Sequence, residues 1–371
     1  MMQTDPFTLP EYFPPDFDLP IFKDAPLVRF SPVTQQGLAP DQYHATSIYP
    51  EYFHVKKGVW QLLTSSRMDC VVILEEDGTL SVKEFRHLQP GEQVACGRGE
   101  NAEDGIYVHA AAFGFPVLST EKFAFRTYIT RETSFSTDYD VLYRLLNFEK
   151  DNGFILWVLG PAVTFDKDAR EAFVEIINNG YVHGLLAGNA LAVHDLEAAL
   201  FKTALGQEIY SKKHKRQGHY KHLDTINRVR RLGSLKKAIE QGSISDGIMK
   251  AVLEKNIPYV LAGSIRDDGP LPEVIADAYD AQDQMRLLAK QATTVIAMAT
   301  QLHAIATGNM LPAYHISREN TVRPVYLYMV DMSEFATSKL GSRGSQTAHS
   351  ILTNVQDFIV TLSRGLAERC H

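Results

Sequence analysis

The sequence predicts an α/β protein: a doubly wound parallel sheet with a smaller β-rich unit ahead of it. Three observations carry that expectation. Continuous apolar runs such as Phe154-Ile155-Leu156-Trp157-Val158-Leu159 have no polar face, as strands covered on both sides require. Between such runs lie stretches with apolar residues at helical spacing, Lys167 to Asn178 among them. From about residue 150 onward the two kinds of segment alternate, the order that builds a parallel sheet with helical crossovers.

Residues 1–45 are rich in proline and show little periodicity, so an extended arm is expected. Its Phe7, Tyr12, Phe13 and Phe17 need a surface, and a homo-oligomer would provide one. Residues 46–130 read as a small β-rich, barrel-like domain. Cys70 to Leu74 is an apolar strand, Glu75-Glu76-Asp77-Gly78 a turn, Thr79 to Phe85 an alternating strand, Gln93 to Cys96 another, and Ile106 to Phe115 one more. Residues 131–371 carry the large sheet. A helix over Asp138 to Lys150 precedes the run at 154–159, and the helix from Lys167 follows it. A strand over Val182 to Ala187 leads into a helix running to Thr203. A Lys- and His-rich excursion fills 206–220, with helices expected at 221–232, 234–241 and 245–255. Beyond a strand at 257–262 come a long helix over 273–291, a strand at 293–298 and a helix from Ala299 that stops at Gly308-Asn309. The last elements are strands over Pro324 to Val330 and Thr347 to Thr353 and a C-terminal helix from about Asn354.

Composition narrows the class. With 371 residues, 45% hydrophobic and 22% charged, the chain has an ordinary soluble make-up, and a net charge of -7 argues against a nucleic-acid surface. No apolar stretch reaches the length of a membrane span. Cys70, Cys96 and Cys370 are odd in number and lack metal-ligand spacing, which fits a reducing, cytoplasmic compartment. His214, His219 and His222 have no acidic or cysteine partner at metal spacing, so no metal site is expected. The sequence contains neither the Gly-x-Gly-x-x-Gly dinucleotide loop, nor a nucleophile elbow, nor a phosphate loop.

Several expected strand ends instead carry a small residue followed by a polar or turn-forming one: Gly160-Pro161-Ala162, Gly188-Asn189-Ala190 and Gly263-Ser264-Ile265, with Gly308-Asn309-Met310 at a helix end. Glycine lets a backbone approach a ligand, and the amides of a helix start bind phosphate. Glycine also simply ends strands, and both readings stand at this point. Arg266-Asp267-Asp268 follows the third break. A carboxylate there suits ribose hydroxyls or a substrate ammonium, and the guanidinium suits a substrate carboxylate; an internal ion pair in a capped turn is the plain alternative. His194-Asp195 lies just over one helical turn past Asn189, with proton transfer or a buried hydrogen-bonded histidine as its two readings. Arg67-Met68-Asp69-Cys70 precedes a strand of the small domain, from which Arg67 and Asp69 reach either a substrate across a domain cleft or a local ion-pair partner.

Taken together, Gly160-Pro161-Ala162-Val163, Leu185 to Glu197, Gly233-Ser234, Gly242-Ser243-Ile244, Gly247-Ile248-Met249, Leu261 to Pro272 and Leu302 to Pro312 resemble a known family. It is the domain shared with lysine-ketoglutarate reductase/saccharopine dehydrogenase bifunctional enzymes (LOR/SDH), with archaeal-type ornithine cyclodeaminases and with the C-terminal half of cyanobacterial arginine dihydrolase/ornithine cyclodeaminases. The resemblance implies a Rossmann-like domain that holds NAD and an ornithine-like amino acid turned into proline and ammonia by internal recycling of hydride. On that basis Gly160, Pro161, Ala162, Gly188, Asn189, Ala190, Asp195, Gly263, Ser264, Ile265, Gly308, Asn309 and Met310 are expected at the cofactor. Arg67, Asp69, His194, Arg266, Asp267 and Asp268 are expected at the substrate, with Asp267 or Asp268 as the base. Compared with those families the sequence starts after most of an N-terminal ferredoxin-like segment and has no guanidine-hydrolysing domain, so arginine is not an expected first substrate. A non-catalytic NAD-bound sensor or scaffold, and a different NAD-dependent amine transfer of the deoxyhypusine synthase-like kind, are the alternatives.

Overall fold

The computed structural model describes residues 6–114, 135–267, 269–316, 321–333 and 345–368. A seven-stranded sheet forms its frame, in the spatial order Val274–Ile275, Tyr259–Ala262, Gly184–Gly188, Ile155–Leu159, Thr294–Met298, Tyr326–Asp331, Thr347–Leu352. Every neighbouring pair in it is parallel. The expected α/β class and doubly wound topology are therefore present.

Alternation along the strands builds two cores. Ile155, Trp157 and Leu159 point to one face, where Phe173 of helix Lys167–Asn178 and Phe358 of helix Val355–Glu368 meet them. Leu156 and Val158 point to the other, against Met285 of helix Ala278–Ala289 and Met310 of helix Gln301–Met310. Both central strands are buried throughout, which is why their sequences are apolar without interruption. Each such fully buried large side chain contributes about 1.5–3 kcal/mol. Trp157 satisfies its one donor by bonding its Nε1–H to the Tyr181 carbonyl at 2.8 Å.

The far edge of the sheet, where its strands begin, is held by a buried carboxylate. Glu149 accepts from Thr293 Oγ1 at 2.7 Å, from Thr294 Oγ1 at 3.1 Å and from the Arg323 guanidinium. His315 Nε2 bonds Ala292 O there at 2.8 Å.

Several expectations are corrected. The helix expected over 273–291 starts only at Ala278, because Asp277 caps it through Tyr279 N and Asp280 N. The β-branched Val274 and Ile275 ahead of it pair with Leu261 and Ala262 as an added edge strand. The helix expected to stop at Gly308-Asn309 runs from Gln301 through Met310, with Thr307, Gly308 and Met310 buried in it. The 1–45 stretch is not all arm: Arg29–Pro32 is a strand paired with Gln93–Cys96. Three of the arm's four aromatics pack within the chain, while Phe13 is exposed. Phe7 lies 5.5 Å from the Phe148 ring and 5.8 Å from that of Tyr326, Tyr12 meets Phe113 at 5.4 Å, and Phe17 stacks on Trp60 at 5.6 Å. Phe7, Tyr12 and Phe17 therefore find their surface within the chain itself.

The N-terminal strands form two antiparallel sheets rather than one closed barrel. One has the order Arg29–Pro32, Gln93–Cys96, Val71–Leu74, Leu80–Lys83; the other has Val59–Leu62, Glu51–Lys56, Ile106–Val108. They share a core of Phe53, Val72, Leu80, Ala95 and Ile106. The position near residue 130 where this unit was expected to end lies outside the described residues.

Cys70 and Cys96 are both buried and free. Burial pushes the Cys70 thiol up to about 11, against the attraction of Arg67. Iodoacetamide at pH 8 should therefore leave Cys70 and Cys96 unmodified in the native protein and label them in urea, as read by peptide mapping. Equal labelling in both conditions would contradict their burial. Cys370 lies outside the described residues. Among those residues no helix is long and apolar enough to cross a membrane.

Candidate functional site

From Ile155–Leu159 the chain builds outward in one direction, to Gly184–Gly188, Tyr259–Ala262 and Val274–Ile275. It then returns to the opposite side of Ile155–Leu159 to lay down Thr294–Met298. The helices that follow these two central strands pack on opposite faces of the sheet, and the crevice between such diverging connections is where open α/β sheets receive ligands.

Three of the four small-residue breaks meet there. Gly160 N–H bonds the Met298 carbonyl at 2.8 Å, joining the two central strands at the reversal. A Cβ on Gly160 would stand 1.8 Å from the Ala299 carbonyl oxygen, so only glycine fits. Ala299 itself adopts φ +52°, a left-handed conformation that costs a non-glycine residue about 1–3 kcal/mol and is found at ligand sites. Pro161 and Ala162 continue from Gly160 as a short 3-10 helix, Pro161–Phe165. Gly188 ends its strand, and Asn189 and Ala190 open helix Asn189–Phe201. Gly263, Ser264 and Ile265 leave the end of Tyr259–Ala262.

The third turn is stitched to the second. Asn189 Oδ1 accepts from Leu271 N at 3.1 Å, and Asn189 Nδ2 approaches Asp267 Oδ1 at 3.5 Å. Asp267 Oδ2 accepts from Ser264 N at 2.8 Å. Ser264, Ile265 and Arg266 stand out from the rim, and the Ile265 side chain is wholly exposed at 107%. Arg230 reaches the same turn from helix Gly218–Leu232: its Nη1 is 3.1 Å from where a Cβ of Gly269 would be. Asp268 lies outside the described residues.

The crevice offers uncapped helix starts. Helices Asn189–Phe201 and Gln301–Met310 both begin at this edge without a side-chain hydrogen bond to their first amides. Helices Lys167–Asn178, Leu235–Glu240 and Ala278–Ala289 are capped by Asp166, Ser234 and Asp277. Free first-turn amides with the positive end of the helix dipole suit a phosphate group.

Two crevice residues were given no role from the sequence: Thr300, and His303, which lies within the Leu302 to Pro312 stretch of the family resemblance. Their signal was the one used elsewhere, a small residue then a polar one after a buried strand, but it was spent on the helix end at Gly308. His303 lies in the first turn of Gln301–Met310, with Nδ1 3.2 Å from Thr300 Oγ1. Burial lowers its imidazole below the usual 6.5, and the nearby Asp267 carboxylate opposes that shift.

Other expected site residues are placed elsewhere. Gly308, Asn309 and Met310 end a helix that starts at the crevice and returns toward the far edge, so they do not join the glycine-led strand ends. Asp195 is buried and fully engaged: Oδ1 accepts from Arg170 Nε at 2.6 Å and Ile248 N at 3.0 Å, and Oδ2 from Met249 N at 2.8 Å. It caps helix Ile248–Glu254 from a distance, and its buried carboxylate is directed at that helix start and at Arg170. His194 bonds Glu197 Oε2 through Nδ1 at 2.9 Å. Glu197 in turn holds Thr203 Oγ1 at 2.8 Å and the amide of Gly206 at 3.3 Å, so this pair anchors the excursion that follows. Arg67 is buried and paired with Glu84, which also takes Arg286 of helix Ala278–Ala289. Asp69 sits at φ +61° and bonds Thr46 O through its amide at 3.1 Å. Arg67 thus belongs to the junction of the small unit with that helix, the ion-pair alternative, and Asp69 is exposed two residues further on.

A family model for the C-terminal Rossmann-fold domain of ArgZ-like arginine dihydrolases matches residues 140–362. The ornithine cyclodeaminase of Methanopyrus kandleri is 36% identical over 91% of this chain and 78% of its own length. The bifunctional arginine dihydrolase/ornithine cyclodeaminase ArgZ of Synechocystis is 33% identical over 91% of this chain, but only 46% of its own length is matched. Among solved structures, a conserved LOR/SDH protein of Methanococcus maripaludis superposes with a TM-score of 0.83 at 31% identity, covering 93% of this chain and 100% of that one. AgrE in ternary complex with ornithine and NAD+ superposes with a TM-score of 0.58 at 31% identity, over 95% of this chain and 47% of that one.

Proposed function

The chain belongs to the ArgZ-like C-terminal Rossmann family, and from that premise we propose that it is an NAD-dependent cyclodeaminase converting ornithine to proline and ammonia. The observation that carries the reading is the crevice at the reversal of the sheet. Two uncapped helix starts there leave donors for a dinucleotide, in a chain related along 91% of its length to an ornithine cyclodeaminase.

The residues present fit NAD. Gly160, Pro161, Ala162, Gly188, Asn189 and Ala190 bring backbone to the crevice floor, and Gly263, Ser264 and Ile265 form its wall. The amides opening helices Asn189–Phe201 and Gln301–Met310 suit the pyrophosphate. When bound, NAD supplies a reversible two-electron acceptor: it takes hydride from the α-carbon of the amino acid and gives it back to the cyclic imine.

The rest falls to the chain itself. Asp267, fixed by Ser264 N and leaning on Asn189, places a negative charge where a cationic diamino acid needs one. Arg266 is exposed on the same turn and suits the substrate carboxylate as a bidentate fork. Ile265, wholly exposed at the rim, covers a bound ligand and excludes water from it.

The test is isotopic. Purified protein with catalytic NAD and ornithine deuterated at the α-carbon should yield ammonia and proline with the label kept at that carbon. Proline without label, or no proline beside tight NAD binding, would reject internal recycling and leave a nucleotide-binding protein of another kind.

A further inference from the structure

His303 is a half-buried, titratable side chain in the crevice, and the comparisons assign it no part. Three contacts define its position. The Thr300 hydroxyl stands 3.2 Å from Nδ1, from the residue that opens the same helix. The ring lies over the end of strand Gly184–Gly188: a Cβ on Gly188 would be 2.8 Å from His303 Cε1 and 3.7 Å from Nε2. Glycine at 188 therefore lets the imidazole lie flat against the strand end, beside Asn189. Asp267 is the charged group that acts on the ring, from the turn after Tyr259–Ala262. Nε2 has no hydrogen-bond partner among the described residues.

We propose that His303 takes the proton from the α-ammonium of the amino acid and returns it to the departing ammonia. The inference rests on the cyclodeaminase reading above and departs from the sequence expectation that Asp267 or Asp268 is the base. Asp267 is committed to Ser264 N and to Asn189, which leaves it to stabilise the imidazolium once formed. The proposed base is the tautomer in which Nδ1–H donates to the Thr300 hydroxyl, which makes the lone pair of Nε2 the basic site in the crevice.

The step balances. Loss of one proton to Nε2 leaves a neutral α-amine, whose lone pair becomes the carbon–nitrogen double bond. The α-hydrogen departs with its electron pair to the oxidised nicotinamide supplied by that reading. The side-chain amine, bound in its neutral form, then attacks the α-carbon and closes the ring, which leaves the ring nitrogen with a surplus proton. The proton on Nε2 returns to the α-nitrogen, and Nε2 takes up the surplus proton of the ring nitrogen. The lone pair so freed on the ring nitrogen expels ammonia as the bond between the α-carbon and the α-nitrogen breaks. Return of the electron pair to the cyclic iminium, with the proton on Nε2 passed to the nitrogen of proline, restores the starting oxidation state and the free imidazole.

The test uses the full chain. His303→Gln should bind NAD within about 3-fold of the parent by calorimetry while turnover of ornithine falls roughly 100-fold or more, the usual worth of a positioned acid–base group. The parent's kcat should fall on the acid side with an apparent pKa below 6.5, and that limb should be missing from His303→Gln. In NAD-free protein, the His303 ring resonances should titrate below 6.5 as well. Added imidazole should restore turnover to His303→Ala, which a merely structural defect would not permit. A His303→Gln protein that keeps a tenth or more of the parent's kcat, or retains its acid limb, overturns the inference and leaves the cyclodeaminase reading standing. A parent protein that binds no NAD removes the reading itself, and the inference with it.

Discussion

Asp195→Ala is expected to lower stability by about 3–5 kcal/mol while leaving NAD affinity of the folded protein unchanged. The carboxylate is fully buried and neutralises Arg170, whose side chain is itself only 5% exposed. Removal strips two amides of helix Ile248–Glu254 of their acceptor and leaves the buried Arg170 Nε–H without one. Asp246 bonds Arg170 Nη1 at 2.6 Å but is half-exposed, so it offsets only part of that loss. Gly247 adds to the constraint: a Cβ there would be 2.1 Å from Arg170 Nη2, so the helix start and the ion pair are packed as one unit. Urea unfolding and NAD calorimetry on the same preparation separate the two readings of this residue. Weakened NAD binding at unchanged stability would restore Asp195 to the cofactor.

The large sheet was legible because its signals are local. Apolar runs of strand length marked both central strands, and helix Lys167–Asn178 coincides with its expected bounds because Asp166 caps it and the apolar spacing is regular. What depended on neighbours was not legible. Val274 and Ile275 become a strand because the end of Tyr259–Ala262 offers them a free edge, which no local pattern announces. Gly308 and Asn309 read as a helix end by composition, yet burial of Thr307 and Met310 carries the helix through them. The same limit divided the site. Strand ends at Gly160, Gly188 and Gly263 could be read because parallel strands must end at one edge. His194 and Asp195 could not, because helix Asn189–Phe201 is buried nearly all round and spacing alone does not say which of its faces meets the crevice. Arg67 was visible as a charge before a strand, whereas Glu84 and Arg286, which decide its role, are distant in sequence.

Gly160→Ala should cost about 3 kcal/mol, the upper part of the overpacking range, and lower the melting temperature by roughly 4 °C. The added methyl would fall 1.8 Å from the Ala299 carbonyl oxygen and 2.5 Å from its carbon. Those are backbone atoms, already held in a left-handed conformation by the strand before them and by the bond from Ala299 N to Val330 O at 3.3 Å. They yield only if Ile155–Leu159 and Thr294–Met298 separate at their ends, which opens the crevice where the nucleotide is proposed to lie. NAD affinity should therefore fall together with stability. Gly188→Ala provides the contrast within the same crevice. Its new methyl meets the His303 ring at 2.8 Å, a side chain that can swing away, while the nearest backbone atom, Ala262 O, is 3.7 Å off. Stability should fall by no more than about 1 kcal/mol. Turnover should fall far more than NAD affinity, because the displaced group is the imidazole and not the floor beneath the dinucleotide. Calorimetric melting, NAD titration and ornithine turnover on the two variants distinguish these cases. If Gly188→Ala melts as low as Gly160→Ala, the strand ends are packed differently from this description. If it keeps full turnover, the ring over Gly188 has no part in the chemistry.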